Sequence, residues 1–515
     1  MKQKTVTHWL MASILAWSTL TPAWSERLPA LGESPVWSDE QEQLIGQRAR
    51  AALYANQRVS ADPFMADYVN KVWLTLHESA QISGALPADL AADLLAPPLV
   101  IKDRSINAFA MPGGLVGVHL GLLASSDSAD ALAAVLAHEM SHITQRHIHR
   151  LVESQSRLAP IAMAVLLASV VIAADTKASD NRSQVAQAAA MGTQAAMVQG
   201  GINFTRGMEQ EADRVGWQIY VNAGYSPAGF TAMFKQLEQS ARLNDDGSSV
   251  YLRTHPLSRE RVAEAMARQA MQPQTPTSRH PALSALAPWV QMRAQVVASQ
   301  RSEEWLQWRD AARGHESMAS PTSALVNYRA VVSAMRLGER SWAWQQLQAL
   351  ANRADLAPAV MALLNTDWLE LSLHSDVPRP DAAELQRRIE QGLRSDWLGE
   401  WMAAARWKIA QGQTSSVVGT LQSKLVNHPM DPELWALLAQ AREAQGQTLR
   451  AMRARAEVQF AQGNVAGALD HILAAKAWSA AHPQVDPIEA QVVLTRERIF
   501  RQTLARCAAD QPDAC

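Results

Sequence analysis

The sequence predicts a mainly helical chain in two parts: an α+β part with a small sheet, then an α-helical solenoid. Three observations predict it. The chain has 515 residues, more than the roughly 250–300 that one hydrophobic core organises, so at least two domains are expected. Short strand-like apolar runs, Leu99–Arg104 and Leu115–Leu120, stand among stretches of helical periodicity. Finally, Ala410-Gln411-Gly412-Gln413-Thr414 recurs unchanged as Ala444-Gln445-Gly446-Gln447-Thr448, an offset of 34 residues. That is the period of a helix-turn-helix repeat.

Composition narrows the function classes. A hydrophobic content of 48% excludes wholesale disorder. Lys and Arg number 47 against 49 Asp and Glu. There is no basic excess to neutralise phosphates, so no nucleic-acid partner is expected. Two cysteines rule out a disulfide scaffold, an iron–sulfur protein and a Cys-rich zinc module.

From the N-terminus, Lys2 and Lys4 precede an apolar run, Trp9–Leu20, broken by Pro22 and followed by Ala23-Trp24-Ser25. This reads as a signal peptide, residues 1–25, cleaved after Ser25. The rival, an uncleaved anchor, is too short to span ~30 Å of hydrocarbon comfortably. Export points to a bacterial periplasm. In that oxidising setting Cys507 and Cys515, eight apart, would close a small loop.

Gln41–Tyr54 and Pro63–Glu78 read as helices. The segment Asn107-Ala108-Phe109-Ala110-Met111-Pro112-Gly113-Gly114 lies between the two strand-like runs, and its Pro and Gly mark an edge strand or turn. Ser128–Glu153 is helical in pattern, with Asp127 or Ser128 as cap. Leu158–Ala174 is seventeen residues without a charge. It reads as a buried core helix, a membrane-surface hairpin or a transmembrane helix. Ser183–Gly201, rich in Ala, Gln, Met and Gly, reads as a flap.

Gln272–Ser278 is Pro- and Thr-rich, as linkers are. The expected division is residues 26–270, a linker at 271–285 and a helical part at 286–515. In the latter, Gly turns recur at Gly412, Gly446 and Gly463, with a degenerate copy at Arg336–Arg340. Tetratricopeptide repeats fit, and such arrays present a concave surface to peptides or proteins.

Within the Ser128–Glu153 pattern stands His138-Glu139-Met140-Ser141-His142. Two His four apart share a helical face and can take two corners of a zinc tetrahedron. Glu139 is then placed to accept a proton from the attacking water. Sixty-seven residues after His142 comes Glu209-Gln210-Glu211-Ala212-Asp213. Glu209 can supply a third, oxygen ligand. Asp213, one turn on, can fix the tautomer of a liganding His. Glu211 faces elsewhere and is the weaker ligand. His147 and His149 read as surface residues or as supports of the metal helix.

Together with Asn107–Gly114, these motifs closely resemble the HtpX/CAAX-prenyl-protease-like zinc metallopeptidases, the gluzincins. The export signal and the repeats resemble that family's periplasmic, repeat-bearing subgroup. The resemblance implies a zincin-like catalytic domain with one zinc per chain. His138, His142 and Glu209 would be ligands, Glu139 the base, and Asp213 part of the catalytic set. Asn107–Gly114 would border the cleft and pair with extended substrate. Thr254-His255-Pro256-Leu257-Ser258-x-x-Arg261 also resembles a family motif. There His255 is a candidate fourth ligand or latch, an oxyanion donor, or part of a turn in which Pro256 opens the next helix. Implied partners are unfolded or misassembled outer-membrane proteins and, through the repeats, their assembly machinery. The rival is a chaperone-like scaffold with latent proteolysis.

Overall fold

In the computed structural model the described residues are 38–87, 96–154, 206–243, 250–272, 278–313 and 321–510. The expected signal peptide, Leu158–Ala174, Ser183–Gly201 and Cys515 lie outside them. The side chain of Cys507 does too, so the disulfide expectation falls there as well. No helix among the described residues is long and apolar enough to cross a membrane.

The first helix, Asp39–Ala55, starts at a capping box in which the Ser38 hydroxyl accepts from Gln41 N and the Gln41 side chain answers Ser38 N. Pro63–Ile82 follows, capped by Asp62, with Phe64, Tyr68, Trp73 and Leu76 buried. It runs four residues past the expected end at Glu78. Three short strands then form one sheet in the order β1-β3-β2. β1 is Leu99–Ile101, β2 Ala108–Ala110 and β3 Val116–His119. β1 pairs parallel with β3, and β2 antiparallel, Phe109 opposite Gly117. A Cβ on Gly117 would lie 2.2 Å from the Phe109 ring, so only glycine lets that ring lie across the sheet.

The expected helix over Ser128–Glu153 is in fact two, Ala129–Thr144 and His147–Ser154. Arg146 adopts φ 50° and turns the chain between them. A non-glycine residue in that region stops helix propagation, and no sequence periodicity signals it.

After Pro281 the described chain is helical throughout. Helix Pro281–Ala298 begins inside the stretch expected as linker. It packs on the Pro63–Ile82 and Ala129–Thr144 helices, and Leu286, Trp289 and Val290 join a core that runs from Phe64 to Ala404. Arg293, on the same helix, is buried and bridges Asp62, Asp367 and the Tyr328 hydroxyl. Farther on, Leu398–Ala410, Ser415–Asn427, Pro432–Ala444, Thr448–Ala461 and Val465–Ala481 form successive helices, and Gly412, Gly446 and Gly463 stand at turns with positive φ. This helical region returns to the first helix. Arg50 donates to Ala461 O at 2.7 Å and Met430 O at 2.8 Å, and a Cβ on Gly463 would meet Gln47 O at 2.9 Å.

Asp67 lies at the same junction and accepts from Leu398 N at 2.7 Å. Burial raises its carboxyl to about 6, against the pull of Lys71 and Leu398 N. The folded pKa therefore exceeds the unfolded one near 3.8. The resulting stability is full below about pH 4 and is lost as pH rises through about 6, on the order of 3 kcal/mol in all. Asp67→Asn keeps an acceptor for Leu398 N and removes the charge. It is expected to melt higher than the parent at pH 7.5, with most of that advantage gone at pH 4.5. Equal melting differences at the two pH values would overturn this.

Candidate metal centre

The site begins with close helix packing. Ala129–Thr144 is capped by Ser128, and Ala131, Ala133, Ala134 and Ala137 are all buried, so little bulk keeps neighbouring helices away. The helix Arg206–Asn222 lies against it at Gly216, where a Cβ would meet Ala137 O at 3.0 Å. Ala137 precedes His138, and Asp213 and Glu209 lie one and two turns before Gly216. The approach at Gly216 thus sets both acids against the histidines. Helix Val250–Thr254 ends as His255 N donates to Tyr251 O, and delivers His255 from a third direction. Pro256 does not open the next helix: that helix is Arg259–Ala270, capped by Ser258.

His138, His142, Glu209 and His255 are all buried, and one ligating atom of each lies within 4.8 Å of the others. His138 Nε2 is 3.0 Å from His142 Nε2 and 3.3 Å from His255 Nδ1. Glu209 Oε1 is 3.5 Å from His142 Nε2 and 3.1 Å from His255 Nδ1. Four donors each about 2.0–2.2 Å from a tetrahedral zinc would stand about 3.3–3.5 Å apart. The donor set therefore fits zinc in number, chemistry and spacing.

Electrostatics fit as well. Burial pushes the Glu209 carboxyl up, but the His255 and His138 rings hold it well below the usual range. Burial likewise opposes ionisation of Asp213, which Arg261 and His138 nonetheless keep below its ordinary value. Burial lowers His138, yet Asp213 and Glu209 raise it to about 9, so the pocket favours positive charge. Burial, then the charges of His138 and His255, push His142 well down, leaving it neutral as a ligand must be.

Asp213 Oδ1 accepts from His138 Nδ1 at 3.0 Å, which turns the Nε2 lone pair to the centre. Arg261 grips Asp213 through Nε at 2.6 Å and through its second terminal nitrogen at 2.8 Å, and reaches Glu209 Oε2 at 2.7 Å. Glu139 is buried; among the described residues its Oε1 has no hydrogen bond, and it stands 3.5 Å from His255 Nε2. Glu211 is outside the cluster, paired with Arg150 and His147. His147 is fully buried against His142, and His149 contacts Glu42 at 3.0 Å.

The Asn107–Gly114 segment forms β2 and a tight turn. Asn107 O accepts from His119 N. Ala108, Phe109 and Ala110 make the edge strand, which packs against the His138 helix, and Met111 N donates to Leu115 O. Pro112, Gly113 and Gly114 turn the chain; Gly113, at φ 74°, abuts Glu42 of the first helix. Two contributors had no assigned role in the sequence. Arg261 stood within a noted motif. Tyr251 stacks on His255 with ring centroids 4.6 Å apart, and only its aromatic character four residues earlier could have hinted at it.

Residues 86–269 match the model of peptidase family M48. The chain is 29% identical over 466 residues to the beta-barrel assembly-enhancing protease of Escherichia coli, covering 87% of this chain and 88% of the relative. It is 34% identical over 236 residues to a putative beta-barrel assembly-enhancing protease of Vibrio cholerae, 45% of each chain. It is 29% identical over 190 residues to the mitochondrial metalloendopeptidase OMA1 of Schizosaccharomyces pombe, 36% of this chain and 51% of that one.

Proposed function

We propose that this chain, a zinc metalloendopeptidase with an M48 domain followed by a helical region, works in the periplasm on misfolded or misassembled outer-membrane proteins. The supporting observation is the similarity to a beta-barrel assembly-enhancing protease across 87% of the chain, through catalytic and helical parts alike. Residues 1–25 would direct export and be removed after Ser25. Residues 26–270 would carry catalysis, 271–285 connect, and 286–515 bind substrates or assembly-machinery partners as tetratricopeptide-like repeats. Leu158–Ala174 offers membrane-surface contact.

His138, His142 and Glu209 would hold the metal. When bound, zinc supplies Lewis acidity that lowers the pKa of water and polarises the scissile carbonyl. Glu139, buried and with its Oε1 free of hydrogen bonds among the described residues, takes the proton from the attacking water and delivers it to the leaving amine. Asp213 holds the His138 tautomer, and Arg261 holds Asp213. β2, at the sheet edge, receives an extended substrate by strand addition through Asn107–Gly114. Incubating the purified full chain with a destabilised outer-membrane β-barrel should yield fragments that a chelator suppresses. Chelator-insensitive cleavage, or none, would overturn the reading.

A second reading, a chaperone-like scaffold with latent proteolysis, is favoured by one observation: His255 sits at the fourth corner of the cluster. His255 would then act as a latch whose withdrawal admits water. His255→Ala is expected to raise basal casein cleavage. A lower rate at unchanged melting temperature would instead make His255 an oxyanion donor, where a lost donor costs about 10²–10³-fold. Parallel loss of rate and melting temperature would make it structural.

A further inference from the structure

The two liganding histidines are supported differently. His138 leans directly on a buried carboxylate, Asp213. His142 has its Nδ1 2.8 Å from Nδ1 of His147, whose Nε2 is 3.1 Å from Glu211 Oε2. Glu211 also accepts from Arg150 at 2.8 Å. We propose that His147, Glu211 and Arg150 form a positioning relay that fixes the tautomer and ring plane of His142, as Asp213 and Arg261 do for His138. The inference rests on the zinc reading above.

The chemistry of each contact sets the protons in turn. If His142 presents Nε2 to the centre, its Nδ1 carries hydrogen and donates. His147 Nδ1 is then the acceptor, so His147 carries its hydrogen on Nε2. That hydrogen reaches a carboxylate, which accepts only. Arg150 pairs with the same carboxylate oxygen at 2.8 Å. Every donor in the chain meets an acceptor, and the negative charge at its end strengthens each bond inward.

The fold makes this contact deliberately. In a continuous helix His147 would lie about 140° around the axis from His142 and face away. The left-handed Arg146, φ 50°, breaks the helix and brings the ring back beneath His142. Backbone strain of this kind persists where the surroundings over-determine it. The relay also spans elements. His147 and Arg150 belong to the helix after the break, whereas Glu211 lies two residues past Glu209 on the opposing helix. It therefore ties the sources of two ligands together from the side away from Asp213. Its inner member is fully buried, while the Glu211 and Arg150 side chains are 24% and 44% exposed.

The test is zinc affinity of the full chain, measured by competition with a chromogenic chelator. His147→Phe removes the acceptor and should weaken zinc binding about 10–100-fold, the usual cost of losing such a support. His147→Gln can accept from His142 through its carbonyl and donate to Glu211 through its amide, so it should recover most of the loss. Glu211→Ala, at the partly exposed end, should weaken binding by a smaller factor and keep the variant folded even if His147→Phe does not fold. A filler role for His147 would not distinguish Gln from Phe in zinc affinity, and that result would overturn the relay. Parental affinity in Glu211→Ala would overturn it as well. Absence of zinc binding by the parent chain would fail the underlying metal reading instead.

Discussion

Replacing Glu139 by Gln is expected to lower peptide hydrolysis by about 10²–10⁴-fold while zinc stays bound. Neither ring of the His138 and His142 pair depends on Glu139, and Glu209 arrives from another helix. The ligand set therefore survives the change. What disappears is basicity at one buried oxygen that no hydrogen bond among the described residues occupies. The amide brings two donors into that space, so a loss of about 1–3 kcal/mol in stability is expected where a donor goes unmet. Rate, metal content and melting temperature of the purified variant separate the effects. Parental rates at full zinc would remove Glu139 from the role of base, and zinc loss would place it among the ligands.

How far the sequence carried the site depends on what kind of information each residue holds. His138, Glu139 and His142 share one helical turn, so their juxtaposition follows from 3.6 residues per turn and could be read directly. Glu209 and Asp213 could be paired because they too are one turn apart. Their meeting with the histidines required Gly216 against Ala137, a contact between helices that composition does not encode. The small sheet and its edge strand were legible from Pro, Gly and apolar runs, although each strand is shorter than its pattern. The break at Arg146 was not legible, because a positive φ at a non-glycine residue is imposed by tertiary contacts. For that reason His147 read only as a surface residue or a support of the metal helix, with no partner assigned to it. Arg261 was visible as part of a motif, but its bond to Asp213 spans 48 residues and two helices. The glycine turns at Gly412 and Gly446 were the plainest signal in the helical region, since the repeat put the same φ-permissive residue at equivalent places. The packing of Pro281–Ala298 into the catalytic core left no such mark.

Glu209→Ala is expected to lose most bound zinc, a larger effect on metal than Asp213→Ala or Glu211→Ala. The argument is electrostatic as well as geometric. Three imidazoles would remain, and three imidazoles can hold zinc when they converge freely. Here they do not act alone. Arg261 lies 2.7 Å from Glu209 Oε2 and is also bonded to Asp213. With Glu209 in place, three carboxylates, Glu139, Glu209 and Asp213, face one guanidinium, and the pocket carries net negative charge toward a cation. With Glu209 gone, Asp213 and Arg261 cancel and only Glu139 is left. A dication would then enter a buried site with one negative charge fewer, beside a guanidinium freed to turn toward it, where desolvation is less offset. Asp213→Ala keeps all the ligands and should cost only about 10–100-fold in zinc affinity, because what it removes is orientation of His138. Glu211→Ala should fall below both. Metal analysis after dialysis gives the order directly. Full zinc in Glu209→Ala would show that His138, His142 and His255 suffice, and would move the third ligand from the acid to the candidate latch.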